Sequence, residues 1–279
     1  MHQAEVSGTS SRAIPSVVLR ALLRVPPLSH AAVRLHNMNV EEANLKAIAA
    51  LIGTDPVLSG LVLRLVNSPM FGVRHRVTGV LQAVALLGLD RLRALSTTAA
   101  LKMLVSTALY LPASTRCWRH SVACALATQE VAVSTGFDGD TAYTAGLLHD
   151  IGRFAMLSCW PREYSHLLAT CCPADLRERE FETLGVRHTD AGAFLLQHWG
   201  LPSDLVEAAR DHHGPPLDGQ PRLVELVSCG CHLADAIGFA VTAKPPDECA
   251  PDDTLSCLVT DQDAFSFRIA DGINQIECL

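Results

Sequence analysis

The chain has 279 residues, 49% of them hydrophobic and 18% charged, with a formal net charge of −7. This composition indicates a globular protein, since a disordered chain has too few apolar groups to bury. The acidic balance argues against nucleic-acid binding by bulk electrostatics. No apolar run reaches the roughly 18 residues of a membrane helix, so we expect a cytoplasmic protein with no membrane contact.

The ten cysteines favour the same compartment. None lies in the paired Cys-x-x-Cys spacing of a zinc knuckle, and Cys171-Cys172 and Cys229-x-Cys231 are too close together for an ordinary disulfide framework. Most of the others lie in apolar helical stretches. We therefore predict reduced cysteines that act as small hydrophobic residues.

Helical periodicity dominates the first half of the chain, after a polar segment at residues 1–12 that we expect to be flexible. One apolar face is marked by Leu45, Ile48, Leu51 and Ile52. Asp55, followed by proline, is a suitable N-cap for the next helix. That helix should end near Asn67, because the proline at position 69 disfavours helix before it.

Two further helices are predicted before the middle of the chain. Thr78 is the expected cap of a short helix that ends at Gly88, and Asp90 is expected to start another that runs towards Leu104. Pro112 breaks the pattern, so a boundary is predicted just before it.

The second half is predicted to be helical as well, and the pattern contains no period-two alternation or hairpin signal. Its helices should cover about 115–135, 140–150, 188–199, 202–213, 222–237 and 254–279, with a loop over 244–253. The predicted fold class is all-α, with an N-terminal helical bundle packed on a helical C-terminal half. The predicted segments are 1–12, 13–110, 111–240 and 241–279, the last being a loop and a C-terminal helix that packs back.

Several histidines and aspartates lie where predicted helices begin, end or cross. His149-Asp150 ends a helix after an apolar run and precedes Gly152. Ligands of this kind can converge in a helical bundle, and imidazole with carboxylate suits divalent iron, manganese or zinc, with magnesium as a harder alternative. The candidate metal ligands are His120, His149, Asp150, His188, His212, His213 and Asp235.

This set allows one or two ions. The His-Asp pair with a distant histidine and aspartate supplies four ligands for a single ion, and the three other histidines can complete a second site if Asp150 bridges. Two ions would activate water and clamp a phosphate, as phosphodiester hydrolysis requires. The simpler alternative is that these are ordinary core or surface residues, which we prefer for His30, His36, His75, His166, His198 and His232.

The order His120, His149-Asp150, Asp235 resembles the signature of HD-domain phosphohydrolases, and His188 with His212-His213 is similar to the extra ligands of the two-metal HD-GYP branch. In the first half, Ile52-Gly53-Thr54-Asp55-Pro56, Leu63-Arg64-Leu65-Val66-Asn67-Ser68 and Gln82 to Gly88 resemble HDOD domains. In the second half, Trp199-Gly200-Leu201-Pro202 continues that pattern. The resemblance covers roughly residues 26–239.

The resemblance implies an all-helical bacterial protein, often the output module of a response regulator, in a family whose catalytic activity is generally unproven. By the same resemblance Asp150 and Arg153 would be the catalytic residues. Where HD-GYP enzymes have lysine this chain has Arg153, which is not equivalent, and no Gly-Tyr-Pro follows His213. Cyclic di-GMP hydrolysis is therefore disfavoured.

Three functions follow. The first is a regulatory or scaffold module that binds signalling proteins or a small phosphorylated ligand, in which the loop from Asn67 to Gly72 either contacts a partner or packs between the halves. The second is a metal-dependent phosphohydrolase acting on nucleotides. The third and weakest is nucleic-acid binding through the local basic patch, which is formed by Arg74, His75, Arg76, Arg91 and Arg93.

Overall fold

The computed structural model describes residues 14–38, 44–68, 71, 73–106, 111–214, 222–243 and 261–277. Within these ranges the chain is helical and contains no β-strand, which confirms the predicted all-α class. None of the helices in the described ranges is long and apolar enough to cross a membrane. The predicted segment 1–12 and the predicted loop at 244–253 lie outside the described residues, as does half of the loop from Asn67 to Gly72.

The helices of the first half are α1 (Ser16–Leu22), α2 (His30–His36), α3 (Leu45–Gly53), α4 (Pro56–Val66), α5 (Val80–Leu87) and α6 (Leu89–Ser106). Those of the second half are α7 (Pro112–Ser134), α8 (Gly139–Leu148), α9 (Ile151–Cys159), α10 (Pro161–Thr170), α11 (Pro173–Leu184), α12 (His188–His198), α13 (Ser203–Asp211), α14 (Leu223–Ala236) and α15 (Gln262–Glu277).

The start and end of α4 follow the sequence prediction. The Asp55 carboxylate accepts hydrogen bonds from the backbone N–H groups of Val57 and Leu58, at 3.1 and 3.0 Å. The helix ends at Val66, and the Asn67 side chain then bonds both backbone groups of Val77 at 2.8 Å. Asn67 thus joins the end of α4 to the segment before α5.

One other predicted cap is wrong: Thr78 does not cap α5, since Gly79 is the N-cap and no side chain bonds the first turn. The break predicted at Pro112 lies between α6, which ends at Ser106, and α7, which begins at Pro112. Helix α7 thus starts three residues before the predicted start at about Thr115, because proline is well tolerated in a first helical turn, where its missing N–H costs nothing. Helices α1, α2, α9, α10 and α11 were not predicted individually, and of the predicted tail helix the structure describes only α15.

The described residues bury two cores. The smaller one lies among α2 to α6 and is formed by residues such as Ile52, Val62 and Val84. The larger one fills the second half and also takes in α1, through Val18 and Leu22. Helix α6 is shared, because its first part faces the small core and its later part faces the large one. The two halves are therefore joined through continuous packing along α6.

Three glycines let the helices of the second half approach closely. A Cβ at Gly146 of α8 would lie 2.8 Å from the Cα of Ala125 in α7, and one at Gly230 of α14 would lie 2.1 Å from the Thr128 hydroxyl, also in α7. A Cβ at Gly152 of α9 would lie 1.9 Å from the carbonyl oxygen of the first residue of α12. These contacts bring α8 and α14 close against α7, and α12 close against α9.

We predict that Gly152→Ala destabilises the protein by about 3 kcal/mol or more, because the added methyl meets backbone of α12 and the helices must separate. Gly60→Ala is the matched control. Gly60 is exposed within α4 and has no atom near the added methyl, so that change should be neutral or stabilise by up to about 1 kcal/mol. Urea unfolding measures both, and equal costs would contradict the close α9–α12 contact.

Candidate metal centre

The predicted His-Asp pair lies at the junction between two helices. His149 follows the last residue of α8, and Asp150 is the N-cap of α9. Both side chains are buried, with His149 fully enclosed. The Asp150 carboxylate, at the junction of the two helices, therefore lies inside the second half rather than at its surface.

The two oxygens of Asp150 face four histidines. Oδ2 lies 3.6 Å from His120 Nε2 and 3.5 Å from His149 Nε2. Oδ1 lies 3.4 Å from His188 Nε2 and 3.7 Å from His212 Nε2. The carboxylate is thus the centre of the cluster, with two imidazoles on each side.

Backbone carbonyl groups fix the rings on the Oδ2 side. His149 Nδ1 donates to the carbonyl of Gly146 at 2.6 Å, and His120 Nδ1 donates to that of Phe239 at 2.9 Å. A carbonyl oxygen only accepts, so Nδ1 carries the proton and Nε2 of a neutral ring is left as a lone pair. In both residues Nε2 is the ring atom that faces Asp150.

The rings on the Oδ1 side are held in the same way. His212 Nδ1 donates to the carbonyl of Ala209 at 3.1 Å, and His188 Nδ1 donates to the Glu180 carboxylate at 2.7 Å. Support of the Nδ1 atom by an oxygen acceptor is the usual arrangement around metal-binding histidines. All four rings therefore present Nε2 to one point.

Ligand atoms gather at two ends of the cluster. The cysteine end consists of His120, His149 and Cys231, and the histidine end consists of His188, His212 and His213. At the histidine end, His213 Nε2 lies 3.2 Å from His188 Nε2. The ligand atoms of each end lie within 4.8 Å of one another, a spacing that one ion can span.

Asp235 is placed differently from the other six predicted ligands. Its carboxylate lies 3.3 Å from Nδ1 of His120, on the side of the ring away from Asp150, and its side chain is 40% exposed. In this position it orients His120. Asp235 belongs to α14, and the atom of α14 that lies close to His120 Nε2 is the sulfur of Cys231, one turn before Asp235. Cys231 was not predicted as a ligand, because it is not part of a zinc-knuckle spacing.

Arg153 lies inside the cluster and is only 4% exposed. Its Nε donates to Asp150 Oδ2 at 2.6 Å, its Nη1 to Glu180 Oε1 at 3.1 Å, and its Nη2 to His188 Nε2 at 3.2 Å. Nη1 also reaches the hydroxyl of Tyr164 at 3.0 Å. Glu180 and Tyr164 were not predicted, because neither stands at a recognisable distance in sequence from the other site residues.

The ionisation of these groups follows from burial and charge. Burial alone raises the pKa of Asp150, but Arg153 and the surrounding imidazoles outweigh it and hold that pKa well below its usual range. Burial lowers the pKa of His149 to about 4, so its ring is neutral at pH 7. Burial raises the pKa of the Cys231 thiol to about 12.

Within the cluster, two buried polar atoms have no hydrogen-bond partner, namely Asp150 Oδ1 and His212 Nε2. They lie 3.7 Å apart and both are electron-pair donors in this arrangement. Buried polar atoms in proteins normally have a hydrogen-bond partner. Two unpaired electron-pair donors that face each other are better explained by a cation that binds between them than by ordinary core packing. The residues present therefore fit a divalent metal ion.

Part of the basic patch predicted from the sequence makes contacts within the first half. Arg93 donates to the carbonyl groups of Leu35 and Met38 and pairs with Asp90 at 2.9 Å, so it holds α2 against α6. The guanidinium of Arg91 lies over the ring of Phe71. Two of the five basic residues are thus engaged in packing within the first half.

The HDOD domain model matches residues 25–215, and the chain belongs to the HDOD family. The chain is 29% identical over 180 residues to an uncharacterised protein of Treponema pallidum (strain Nichols), covering 63% of this chain and 34% of that one. It is 29% identical over 120 residues to a Mycoplasma pneumoniae protein with the proposed assignment nicotinate-nucleotide adenylyltransferase/Ap4A hydrolase, covering 43% of this chain and 31% of that one.

The chain spans about a third of the length of these two curated relatives. Among solved structures, a protein of Shewanella amazonensis SB2B that has been proposed to be a phosphohydrolase matches with a TM-score of 0.65 and 24% identity. That match covers 94% of this chain and 97% of the Shewanella chain. It shows that the two share a fold over nearly their whole length.

Removing the buried guanidinium should be costly. In metal-free buffer with a chelator, Arg153→Met should destabilise the protein by about 3–5 kcal/mol, because Asp150 and Glu180 lose their main counter-charge. Arg179→Met is the control, since Arg179 pairs with Glu182 on the surface and should contribute no more than about 1 kcal/mol. The free energy of unfolding of both variants is measured by chemical denaturation. Similar losses of stability in the two variants would mean that the cluster carries no buried charge.

Proposed function

We propose that this chain is a regulatory module of bacterial signal transduction that holds one or two divalent metal ions in its buried His/Asp cluster. The observation that supports the proposal is the common orientation of the four central imidazoles. Each uses Nδ1 to bond an oxygen acceptor and turns Nε2 towards Asp150. Side chains that only fill a core have no reason to share that orientation.

The ions would be held by His120, His149, Asp150, His188, His212 and His213, with Cys231 close by. These residues come from α7, the α8–α9 junction, α12, the end of α13 and α14. A bound ion would supply Lewis acidity, and by its ligands it would tie these elements together. The state of the cluster can thereby set the packing of the whole second half.

Burial favours regulation over turnover. A phosphorylated substrate must approach Asp150 within a few ångströms, yet Asp150, His149 and His188 are almost fully enclosed. The Arg153 guanidinium, which would serve a substrate phosphate in an enzyme, is already bonded to Asp150 and Glu180. In this arrangement Arg153 balances the charge of the cluster.

The first half supplies the surface for a signalling partner. Its small core is separate from the His/Asp cluster. Several large apolar side chains of this half remain exposed at its surface. These are Leu45, Val57, Leu81, Leu86 and Met103. We propose a protein partner for this half, with a small phosphorylated ligand as the alternative. The shared helix α6 connects such a surface to the core that surrounds the cluster.

The second candidate function is a metal-dependent phosphohydrolase acting on nucleotides. It is favoured by the ligand set itself, because a pseudo-enzyme has no need to keep histidine or aspartate at every ligand-like position. The assignment proposed for the Mycoplasma pneumoniae relative, which includes Ap4A hydrolysis, points the same way. This function requires the cluster to open, so that substrate can reach Asp150.

Metal analysis together with a hydrolysis panel tests the proposal. We expect purified protein to hold a divalent ion, to unfold at higher temperature when the ion is added, and to show no turnover on nucleotides, dinucleoside polyphosphates or generic phosphodiesters. His149→Ala should lose the ion and the thermal shift. His198→Ala is the control, because His198 stacks on Phe194 outside the cluster and should behave as the unaltered protein.

Two results would overturn parts of this proposal. Turnover that Asp150→Ala abolishes would favour the phosphohydrolase over the regulatory module. Failure of the unaltered chain to retain or bind any divalent ion would remove the metal and leave the cluster as a buried charge network.

A further inference from the structure

Cys231 lies against the His/Asp cluster, although it is not part of the sequence pattern of histidines and aspartates that predicted this site. It belongs to α14 and is 4% exposed. Its sulfur lies 3.6 Å from Nε2 of His120, the same atom that faces Asp150. A buried cysteine usually packs against apolar neighbours, whereas this one faces a ring nitrogen of a buried histidine.

The fold itself brings Cys231 to this place. The adjacent residue, Gly230, is where α14 approaches α7 so closely that a Cβ would lie 2.1 Å from the hydroxyl of Thr128. His120 projects from the same helix α7 two turns earlier. A larger residue at position 230 would separate the helices and draw the sulfur away from the imidazole.

Four of the six distances between the ligand atoms of His120, His149, Asp150 and Cys231 are close to those around a tetrahedral ion. With bonds of about 2.05 Å to nitrogen or oxygen and about 2.3 Å to sulfur, a tetrahedron has N···N and N···O edges of about 3.3–3.4 Å and N···S edges of about 3.6 Å. The structure has 3.3 Å between Nε2 of His120 and His149, and 3.6 Å between Cys231 Sγ and His120 Nε2. The distances from Asp150 Oδ2 to the two imidazoles, 3.5 and 3.6 Å, are slightly longer.

The donor types decide which ions such a site prefers. A thiolate and two imidazoles are ligands for zinc, iron or cobalt, whereas magnesium requires oxygen ligands in an octahedral arrangement. On coordination the Cys231 S–H bond breaks, the sulfur keeps the electron pair and bonds the metal, and the proton leaves to solvent.

We propose that Cys231 is a metal ligand, and that it forms with His120, His149 and Asp150 a thiolate-containing site for a zinc-class ion at the cysteine end of the cluster. This inference rests on the proposed function, because it requires that the cluster binds metal. The histidines and aspartates alone are compatible with magnesium as well as with zinc, iron or manganese. A thiolate ligand favours zinc and similar ions over magnesium.

Cobalt(II) is the probe for the test, because a thiolate ligand gives cobalt an intense charge-transfer absorption in the near ultraviolet that nitrogen and oxygen ligands do not. The full-length protein is stripped with a chelator and titrated with cobalt, and zinc affinity is measured by competition. The variant is Cys231→Ser. The matched control is Cys124→Ser, since Cys124 is equally buried between α7 and α14 but contacts Thr128 and the carbonyl of Val227.

We expect the unaltered protein and Cys124→Ser to show the charge-transfer band, and Cys231→Ser to lose it while its zinc affinity falls by at least about tenfold. Circular dichroism establishes that each variant is folded, and Cys231→Ala replaces the serine variant if that one unfolds. Cobalt binding without the band, or a band that survives in Cys231→Ser, overturns the ligand role and leaves the proposed metal site standing. No cobalt binding by the unaltered protein overturns both.

Discussion

The buried carboxylate of Asp150 is the constraint around which the second half is organised. A carboxylate taken out of water loses several kcal/mol of hydration, which neighbouring charges and dipoles must offset. Here Arg153 bonds one oxygen, and four imidazole nitrogens surround the two. Each of these partners comes from a different element, so the helices pack in the one arrangement that brings them to the junction of α8 and α9.

Arg153 bonds both buried carboxylates of the cluster. Without a metal ion, its guanidinium neutralises Asp150 and Glu180 and keeps the core folded. An ion bound at either end would lie close to this guanidinium, because its Nε donates to Asp150 Oδ2, which faces the cysteine end, and its Nη2 lies 3.2 Å from His188 Nε2 at the histidine end. A buried site of this kind, whose occupancy changes the charge balance within the core, suits a regulatory module better than an enzyme that must admit and release substrate.

Much of this could be predicted from the sequence, because it depends on local patterns. The cap at Asp55, the end of α4 at Val66 and the all-helical class follow from periodicity and capping. His149-Asp150 stood out because a polar pair ends an apolar helix just before a glycine. Cys231 and Glu180 could not be found in this way, since their roles come from helix approaches set far away in the chain, such as that of α14 on α7. The start of α7 was placed three residues too late, because proline interrupts a helix in its interior but is tolerated in its first turn.

The measurement that tests the account most directly is a crystal structure of the zinc-loaded protein with anomalous scattering recorded at the zinc edge. The account predicts an anomalous peak within bonding distance of Asp150 and of Nε2 of His120 and His149, with the four Nδ1 hydrogen bonds retained. A map with no peak at the cluster, or with zinc bound only at surface residues, would contradict it.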